Sequence, residues 1–102
     1  TAVHHKINTI TIVMNNKSWG AEKAYQRDFY NQRYIGVDIN SPSFHKLAEI
    51  YGAKGYHVNQ LKDLRRAVSE AMVCNKPAII EVDVDQKAIY SFRKDSFKHR
   101  SK

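Results

Sequence analysis

The sequence predicts an α/β fold with a parallel sheet, because three short apolar segments alternate with amphipathic ones. The strand candidates are residues 7–14, 56–58 and 78–84. The first contains a β-branched run at residues 10–13, which is typical of a fully buried strand. The third follows Pro77, and its later half alternates apolar with acidic residues, as expected near a more exposed end of a sheet. Strands separated by helices favour parallel pairing with right-handed crossovers.

Two clear helices are predicted between these strands. The first begins after Ser43, a favourable N-cap residue, and ends at Gly52, whereas the second covers residues 61–74. Residues 21–30 fit a third helix, and residues 31–42 fit a loop with an edge segment. Apolar residues share one face of each clear helix: Phe44, Leu47, Ala48 and Tyr51 in the first, and Leu61, Leu64, Ala67, Val68, Ala71 and Met72 in the second.

Positive charge is concentrated at the C-terminal end. The chain has a net charge of +7, but residues 86–102 carry six Lys and Arg residues against one Asp, whereas residues 1–85 carry eleven against nine acidic residues. A basic tail of this kind is typical of a solvated arm or of a contact with a neighbouring subunit. We therefore expect a body at 1–85 with a basic extension at 86–102, and no nucleic-acid partner.

The compartment is predicted from cysteine usage and hydropathy. Cys74 is the only cysteine, so it forms no internal disulfide, and a reducing cytoplasmic setting is the simpler interpretation. The apolar runs are too short to cross a membrane, and no leader pattern is present. Residues 1–6 resemble the end of a helix that starts earlier, so we expect the chain to be a fragment.

Two asparagines end the first strand candidate. Asn15 and Asn16 place carboxamides where open α/β sheets bind ligands, and Gly20 follows after a short polar stretch. Carboxamide and backbone carbonyl oxygens suit a hard cation such as Mg²⁺. An Asn-Asn pair taken alone is more typical of a simple turn.

The asparagine pair resembles the closing half of the motif that defines the thiamine-diphosphate-dependent enzymes. Residues 43–55, with their Phe, Leu-Ala and Gly-Ala, are similar to the helix that follows the metal loop in that superfamily, and residues 61–82 are similar to its final helix and strand. The resemblance implies that residues 1–85 are the C-terminal portion of a thiamine-diphosphate-binding domain. It also implies a partial doubly wound parallel sheet.

Two less common segments narrow the resemblance. Residues 19–33, which begin Trp-Gly-Ala-Glu-Lys, and residues 91–95, Ser-Phe-Arg-Lys-Asp, are similar to the sulfoacetaldehyde acetyltransferase family. The implied reaction converts sulfoacetaldehyde and phosphate to acetyl phosphate and sulfite. Another enzyme of the superfamily, such as an acetolactate synthase or a 2-oxo acid decarboxylase, is the nearest alternative. A stand-alone basic α/β binding module is the alternative from a different class.

The resemblance also implies roles for individual residues. Asn16 would give its side-chain oxygen and Ser18 its backbone carbonyl to Mg²⁺, while Asn15 would support the loop and approach the diphosphate. Gly20 belongs to the same cofactor-binding segment. Trp19 either borders the cofactor or, as is more usual for a large aromatic residue, serves packing.

The resemblance places no catalytic residue in this segment, because the activating glutamate of these enzymes lies in another domain. The segment alone is therefore expected to be inactive. The intact enzyme would be a homodimer or homotetramer that includes the rest of the parent polypeptide, and its partners would be a small-molecule substrate and phosphate. Arg93 is the preferred anion contact among five candidates: Lys17, Lys23, Arg27, Arg33 and Arg93.

Several polar residues have simpler interpretations. Glu81, Asp83 and Asp85 are expected to be solvated charges at the end of a strand. His45 and His57 are expected on the surface. The adjacent His4 and His5 point apart, so a shared metal ion is not expected, and Cys74 is expected to act as a small apolar filler.

Overall fold

The computed structural model describes residues 1–91. They contain three strands and three helices in the order β1 Ile10–Asn15, α1 Gly20–Phe29, α2 Phe44–Ile50, β2 Lys54–Val58, α3 Leu61–Val73 and β3 Ala78–Asp83. The chain divides into two compact units. The first comprises Thr1–Asn15 with Ser41–Val84, and the second comprises Asn16–Asn40 with the residues from Asp85 onward.

The first unit is built on a parallel sheet in which β3 lies between β1 and β2. Ile12 of β1 and Tyr56 of β2 both stand opposite Ile80, and Asn15 stands opposite Asp83. The predicted parallel sheet is therefore confirmed. The carboxyl ends of its three strands therefore lie at the same edge of the sheet.

Helices α2 and α3 cover opposite faces of this sheet. Ile80 is completely buried in a core with Ala67 and Ala71 of α3. The next residue, Glu81, points to the other face and contacts the start of α2. Helices on both faces are the doubly wound arrangement that the resemblance implied.

The helix ends agree with the predicted signals. Ser43 occupies the N-cap position of α2, although its hydroxyl makes no capping hydrogen bond. Gly52 follows the C-cap residue of α2 and has a φ of +85°. Glycine is favoured at such a position because it has no Cβ atom. Three residues assigned to the buried helix faces, Tyr51, Leu61 and Met72, are instead exposed, because they lie at the ends of α2 and α3.

The prediction that the first strand is fully buried was wrong for the described residues. Ile10, Ile12 and Met14 are all exposed, with Met14 at 66%. The reason is position: β1 lies at an edge of the three-stranded sheet, and β3 is the central strand that both helices cover. An apolar strand sequence indicates that the strand can be buried. Whether it is buried depends on the elements that pack against it.

The N-terminal residues form hydrogen-bonded turns before β1. The His5 N–H donates to the Thr1 carbonyl at 3.0 Å, and the Ile7 N–H donates to the Ala2 carbonyl at 2.9 Å. This region is not a regular helix. Within residues 1–91, none of the helices has the length and apolar character needed to cross a membrane.

The second unit contains α1 and the loop after it. Ala24 and Val37 are its buried apolar residues. An antiparallel bridge joins Ser18 to Asp38, with the Trp19 N–H donating to the Val37 carbonyl at 2.7 Å. The predicted helix at 21–30 is therefore confirmed, whereas residues 31–40 contribute one isolated bridge and no strand at an edge of the described sheet.

Replacing Ile80 with Ala should lower the free energy of unfolding by about 2–5 kcal/mol, because the substitution leaves a cavity between α3 and the central strand. Equilibrium unfolding in urea measures the change. The matched control is Ile50→Ala, since Ile50 is 79% exposed. We expect the control to change the free energy by less than about 0.5 kcal/mol; equal losses in both variants would contradict this description of the core.

Candidate functional site

A buried carboxylate organises the carboxyl end of the sheet. Glu81 is only 4% exposed, so the prediction that it is a solvated strand-end charge was wrong. Its Oε2 accepts a hydrogen bond from Asn15 Nδ2 at 2.9 Å. Its Oε1 accepts from the His45 backbone N–H at 3.1 Å and lies 2.8 Å from His45 Nδ1. These contacts satisfy a charge that burial alone would make costly.

Competing effects act on the pKa of Glu81. Burial raises it, because a low-dielectric surrounding disfavours the ionised form. Hydrogen bonds from the His45 ring, from Asn15 and from the His45 backbone lower it, and together they prevail and bring the pKa to about 2. The carboxylate is therefore held ionised at neutral pH.

The same carboxylate takes the place of a side-chain cap on α2. His45 is the second residue of this helix, and its backbone N–H would otherwise lack an intrahelical partner. A negative charge at this position also interacts favourably with the helix dipole. The expectation that His45 is a surface residue was wrong, since its side chain is 19% exposed and contacts Glu81.

A second histidine–carboxylate pair lies beside the first. His57 Nε2 is 2.9 Å from Asp83 Oδ2, and both side chains are exposed, as predicted. The rings of His45 and His57 stack in parallel with their centroids 4.8 Å apart. Two imidazoles and two carboxylates therefore share this face of the sheet.

The predicted metal and cofactor residues downstream of Asn15 form a tight polar turn in the second unit. The Ser18 N–H donates to Asn16 Oδ1 at 3.2 Å, and Ser18 Oγ donates to the Asn16 carbonyl at 3.1 Å. Lys17 between them has a φ of +58°. A Cβ atom on Gly20 would lie 2.9 Å from Asn16 Nδ2. Glycine therefore allows the start of α1 to approach the Asn16 carboxamide.

Trp19 is 58% exposed. Its backbone is held by the bridge to Val37, but the described residues do not bury its indole. The packing interpretation therefore receives no support from this part of the chain. Cys74, in contrast, packs against the core as a small half-buried residue, as predicted.

The second unit brings two of the five candidate anion contacts together. Lys23 and Arg27 line a cleft of about 640 Å³. Each is also paired, Lys23 with Asp38 and Arg27 with Asp28, both at 2.9 Å. Lys17 and Arg33 are exposed and are not among the lining residues, and Arg93 lies outside the described residues. Among residues 1–91, the cleft is also lined by Gln32, Tyr34, Asp85, Gln86, Lys87 and Ile89.

Comparison with known proteins identifies the family. The family described as "Thiamine pyrophosphate enzyme, C-terminal TPP binding domain" matches residues 1–82. Sulfoacetaldehyde acetyltransferase from Alcaligenes xylosoxydans xylosoxydans is 36% identical over 94% of this chain, and the enzyme of that name from Castellaniella defragrans is 35% identical over 94%. The chain spans 17% of the length of each of these relatives.

Solved structures agree with this match. The thiamine diphosphate-dependent 4-hydroxybenzoylformate decarboxylase from Rhodococcus jostii RHA1 superposes with a TM-score of 0.73 and 30% sequence identity, covering 82% of this chain and 16% of its own. The chain therefore belongs to the thiamine pyrophosphate enzymes and corresponds to their C-terminal TPP-binding domain.

Sequence reasoning missed the role of Glu81. The available signal was an acidic residue between Ile80 and Val82 in the interior of the strand, because a charge is rarely buried unless it is paired. The partners of that charge could not be identified from the pattern, since Asn15 and His45 are 66 and 36 residues away along the chain.

Glu81 should make the protein lose stability in acid. Its pKa is about 2 in the folded protein against an ordinary value of 4.5, so the unfolded chain takes up the proton first as the pH falls. The stabilisation is complete above about pH 4.5 and is lost as the pH falls toward 2. The loss is on the order of 3 kcal/mol. Chemical denaturation at a series of pH values measures it.

Glu81→Gln should lower stability at neutral pH and flatten this acid dependence. Glu49→Gln is the matched control, since Glu49 lies on the exposed face of α2. We expect the control to retain both the stability and its pH profile. An unchanged acid dependence in Glu81→Gln would show that another group is responsible.

Proposed function

We propose that this chain is the cofactor-binding part of a thiamine-diphosphate- and Mg²⁺-dependent sulfoacetaldehyde acetyltransferase. The intact protein would convert sulfoacetaldehyde and phosphate to acetyl phosphate and sulfite. The observation that carries the proposal is the similarity to two enzymes of that name over 94% of the chain. Membership of the thiamine pyrophosphate family favours an enzyme domain over a stand-alone basic binding module.

The polar turn after β1 has suitable chemistry for the Mg²⁺-diphosphate end of the cofactor. Asn16 Oδ1 and the Ser18 carbonyl are neutral oxygen ligands, which suit a cation that already carries diphosphate oxygens. The missing Cβ of Gly20 leaves room beside the Asn16 carboxamide. Asn15 would act as a support, because its side chain is tied to Glu81. Trp19 would border the cofactor with its exposed indole.

The cofactor and the protein would contribute different parts of the chemistry. Thiamine diphosphate supplies the nucleophilic carbon when it is bound, and the protein binds and orients it. The residues of this chain would hold the diphosphate end and contribute positive charge toward sulfonate and phosphate. Lys23 and Arg27 line one cleft, which supports such a role for them, and Arg93 is the further candidate.

A second candidate activity is the decarboxylation of a 2-oxo acid. It is favoured by the 30% identity to a 4-hydroxybenzoylformate decarboxylase over 82% of this chain. Both candidates use the same cofactor, so the cofactor residues named above serve either reaction. The products distinguish them, because only decarboxylation releases carbon dioxide.

The proposal also assigns roles to the parts of the intact enzyme outside these 102 residues. The exposed apolar face of β1 would be covered by the rest of the parent polypeptide. The activating glutamate would come from another domain, usually on another subunit of a dimer or tetramer. This segment alone is therefore inactive, and turnover by the 102 residues alone would contradict that part of the proposal.

The direct test uses the intact protein that contains this chain, with sulfoacetaldehyde, phosphate, Mg²⁺ and thiamine diphosphate. We expect acetyl phosphate and sulfite in equal amounts, with both products lost when the cofactor is omitted. If neither product forms, carbon dioxide release from 2-oxo acids is measured next, and its detection would replace the first activity with the second.

Asn16→Ala should weaken the binding of thiamine diphosphate with Mg²⁺ by at least about tenfold, because even the loss of an outer-shell partner commonly costs that much. Titration calorimetry on the intact protein measures the dissociation constant. Asn40→Ala is the matched control, since Asn40 is an exposed asparagine of the same unit. Equal affinity in both variants would remove Asn16 from the metal site.

Arg93→Ala should raise the Michaelis constant for phosphate or for sulfoacetaldehyde, because a guanidinium binds an oxyanion through two hydrogen bonds. Steady-state kinetics of the intact protein measure both constants. Arg65→Ala, at an exposed position on α3, is the control. Unchanged constants for both substrates would exclude Arg93 from the site.

A further inference from the structure

We propose that His57, Glu81 and Asp83 form a binding site for a divalent transition-metal ion such as Zn²⁺. This site is separate from the Mg²⁺ ligands proposed above, and it does not depend on which reaction the intact protein catalyses. The proposal rests on the geometry of a side-chain cluster on the face of the sheet that α2 covers. One potential ligand atom from each of the three residues lies within 4.8 Å of the other two.

The ligand types match such an ion. Zn²⁺ is bound by imidazole nitrogen at about 2.0–2.1 Å and by carboxylate oxygen at about 2.0–2.2 Å, which places neighbouring ligand atoms about 3.4 Å apart in a tetrahedral site. The 2.9 Å separation of His57 Nε2 and Asp83 Oδ2 is already within that span. Since the ligand atoms lie within 4.8 Å of one another, closing the triad around an ion needs a movement of up to about 1.4 Å toward Glu81, which the two exposed side chains can make.

Glu81 has one acceptor position left for a metal ion among its described contacts. A carboxylate offers about four acceptor positions. Three are used by Asn15 Nδ2, the His45 N–H and His45 Nδ1. These bonds fix the orientation of the carboxylate. Oε1 takes two of these bonds and Oε2 takes one, so the remaining position belongs to Oε2.

The ring of His57 is also held in place. It stacks on His45 with an interplanar angle of 3°, and its Nε2 is directed at Asp83. Its neighbour His45 donates to Glu81 and so acts as a positioning residue for that ligand. Outer partners that orient the ligands in this manner are a regular part of metal sites.

The charge balance of the cluster favours a cation. Within residues 1–91, the ion-pair partners of both Glu81 and Asp83 are histidines, and neither carboxylate is paired with Lys or Arg. A histidine ring carries positive charge only when it is protonated. A divalent ion would satisfy both carboxylates and would use the imidazole as a ligand instead of as a counter-ion. Solvent reaches the cluster through His57 and Asp83.

The test titrates the full chain with Co²⁺ and follows its visible ligand-field absorption, with excess Mg²⁺ present to occupy the cofactor-type site. We expect a band that saturates at one Co²⁺ per chain and is displaced by Zn²⁺. His57→Gln and Asp83→Asn should each weaken Zn²⁺ binding by at least about tenfold. Both side chains are exposed, so these variants should fold, which circular dichroism verifies.

Matched controls separate this site from adventitious binding. His4→Gln and His5→Gln remove two adjacent exposed histidines and should leave the affinity unchanged. Asn16→Ala should also leave the Co²⁺ band intact, even if the proposed cofactor role of Asn16 fails. The proposal is overturned if no band forms, if His57→Gln and Asp83→Asn bind as the parent does, or if the His4 and His5 variants abolish binding.

Discussion

The first unit depends on one buried carboxylate at the centre of its sheet. Glu81 joins the end of β1, through Asn15, to the start of α2, through His45. Removing one partner of such a network leaves a buried charge without compensation, which costs far more than the network contributes when it is complete. The network therefore acts mainly by excluding other arrangements, since any shift of β1 or α2 would leave the charge unsatisfied.

This constraint also fixes the residue that directly precedes the polar turn proposed to contact the cofactor. Asn15 is held to the sheet by its side chain, and the turn begins at Asn16 and includes Ser18. A parallel sheet presents its carboxyl ends at one edge, and ligands of open α/β sheets bind there. The proposed cofactor contact follows β1 in the sequence, and the proposed transition-metal cluster lies on β2 and β3. The two use different chemistry. The first consists of neutral oxygens suited to Mg²⁺, and the second combines imidazole with carboxylates.

Local sequence signals predicted the elements well. Short apolar segments predicted all three strands, Ser43 and Gly52 marked the limits of α2, and Pro77 marked the start of β3. These signals succeed because propensity, capping and backbone restriction act between residues that are close in sequence. The family resemblance also depended on ordered local motifs, and the match over residues 1–82 agrees with it.

The sequence by itself determined the strands, the helices, the parallel α/β class and the family, because each of these is encoded in short-range patterns. Only the tertiary structure decided which strand is central, and hence that β3 is buried while Met14 of β1 is exposed. It also decided that Glu81 is a buried, paired charge and that His45 and His57 stack beside it. Burial and charge pairing depend on contacts between residues far apart in the chain, and a local pattern does not specify those partners.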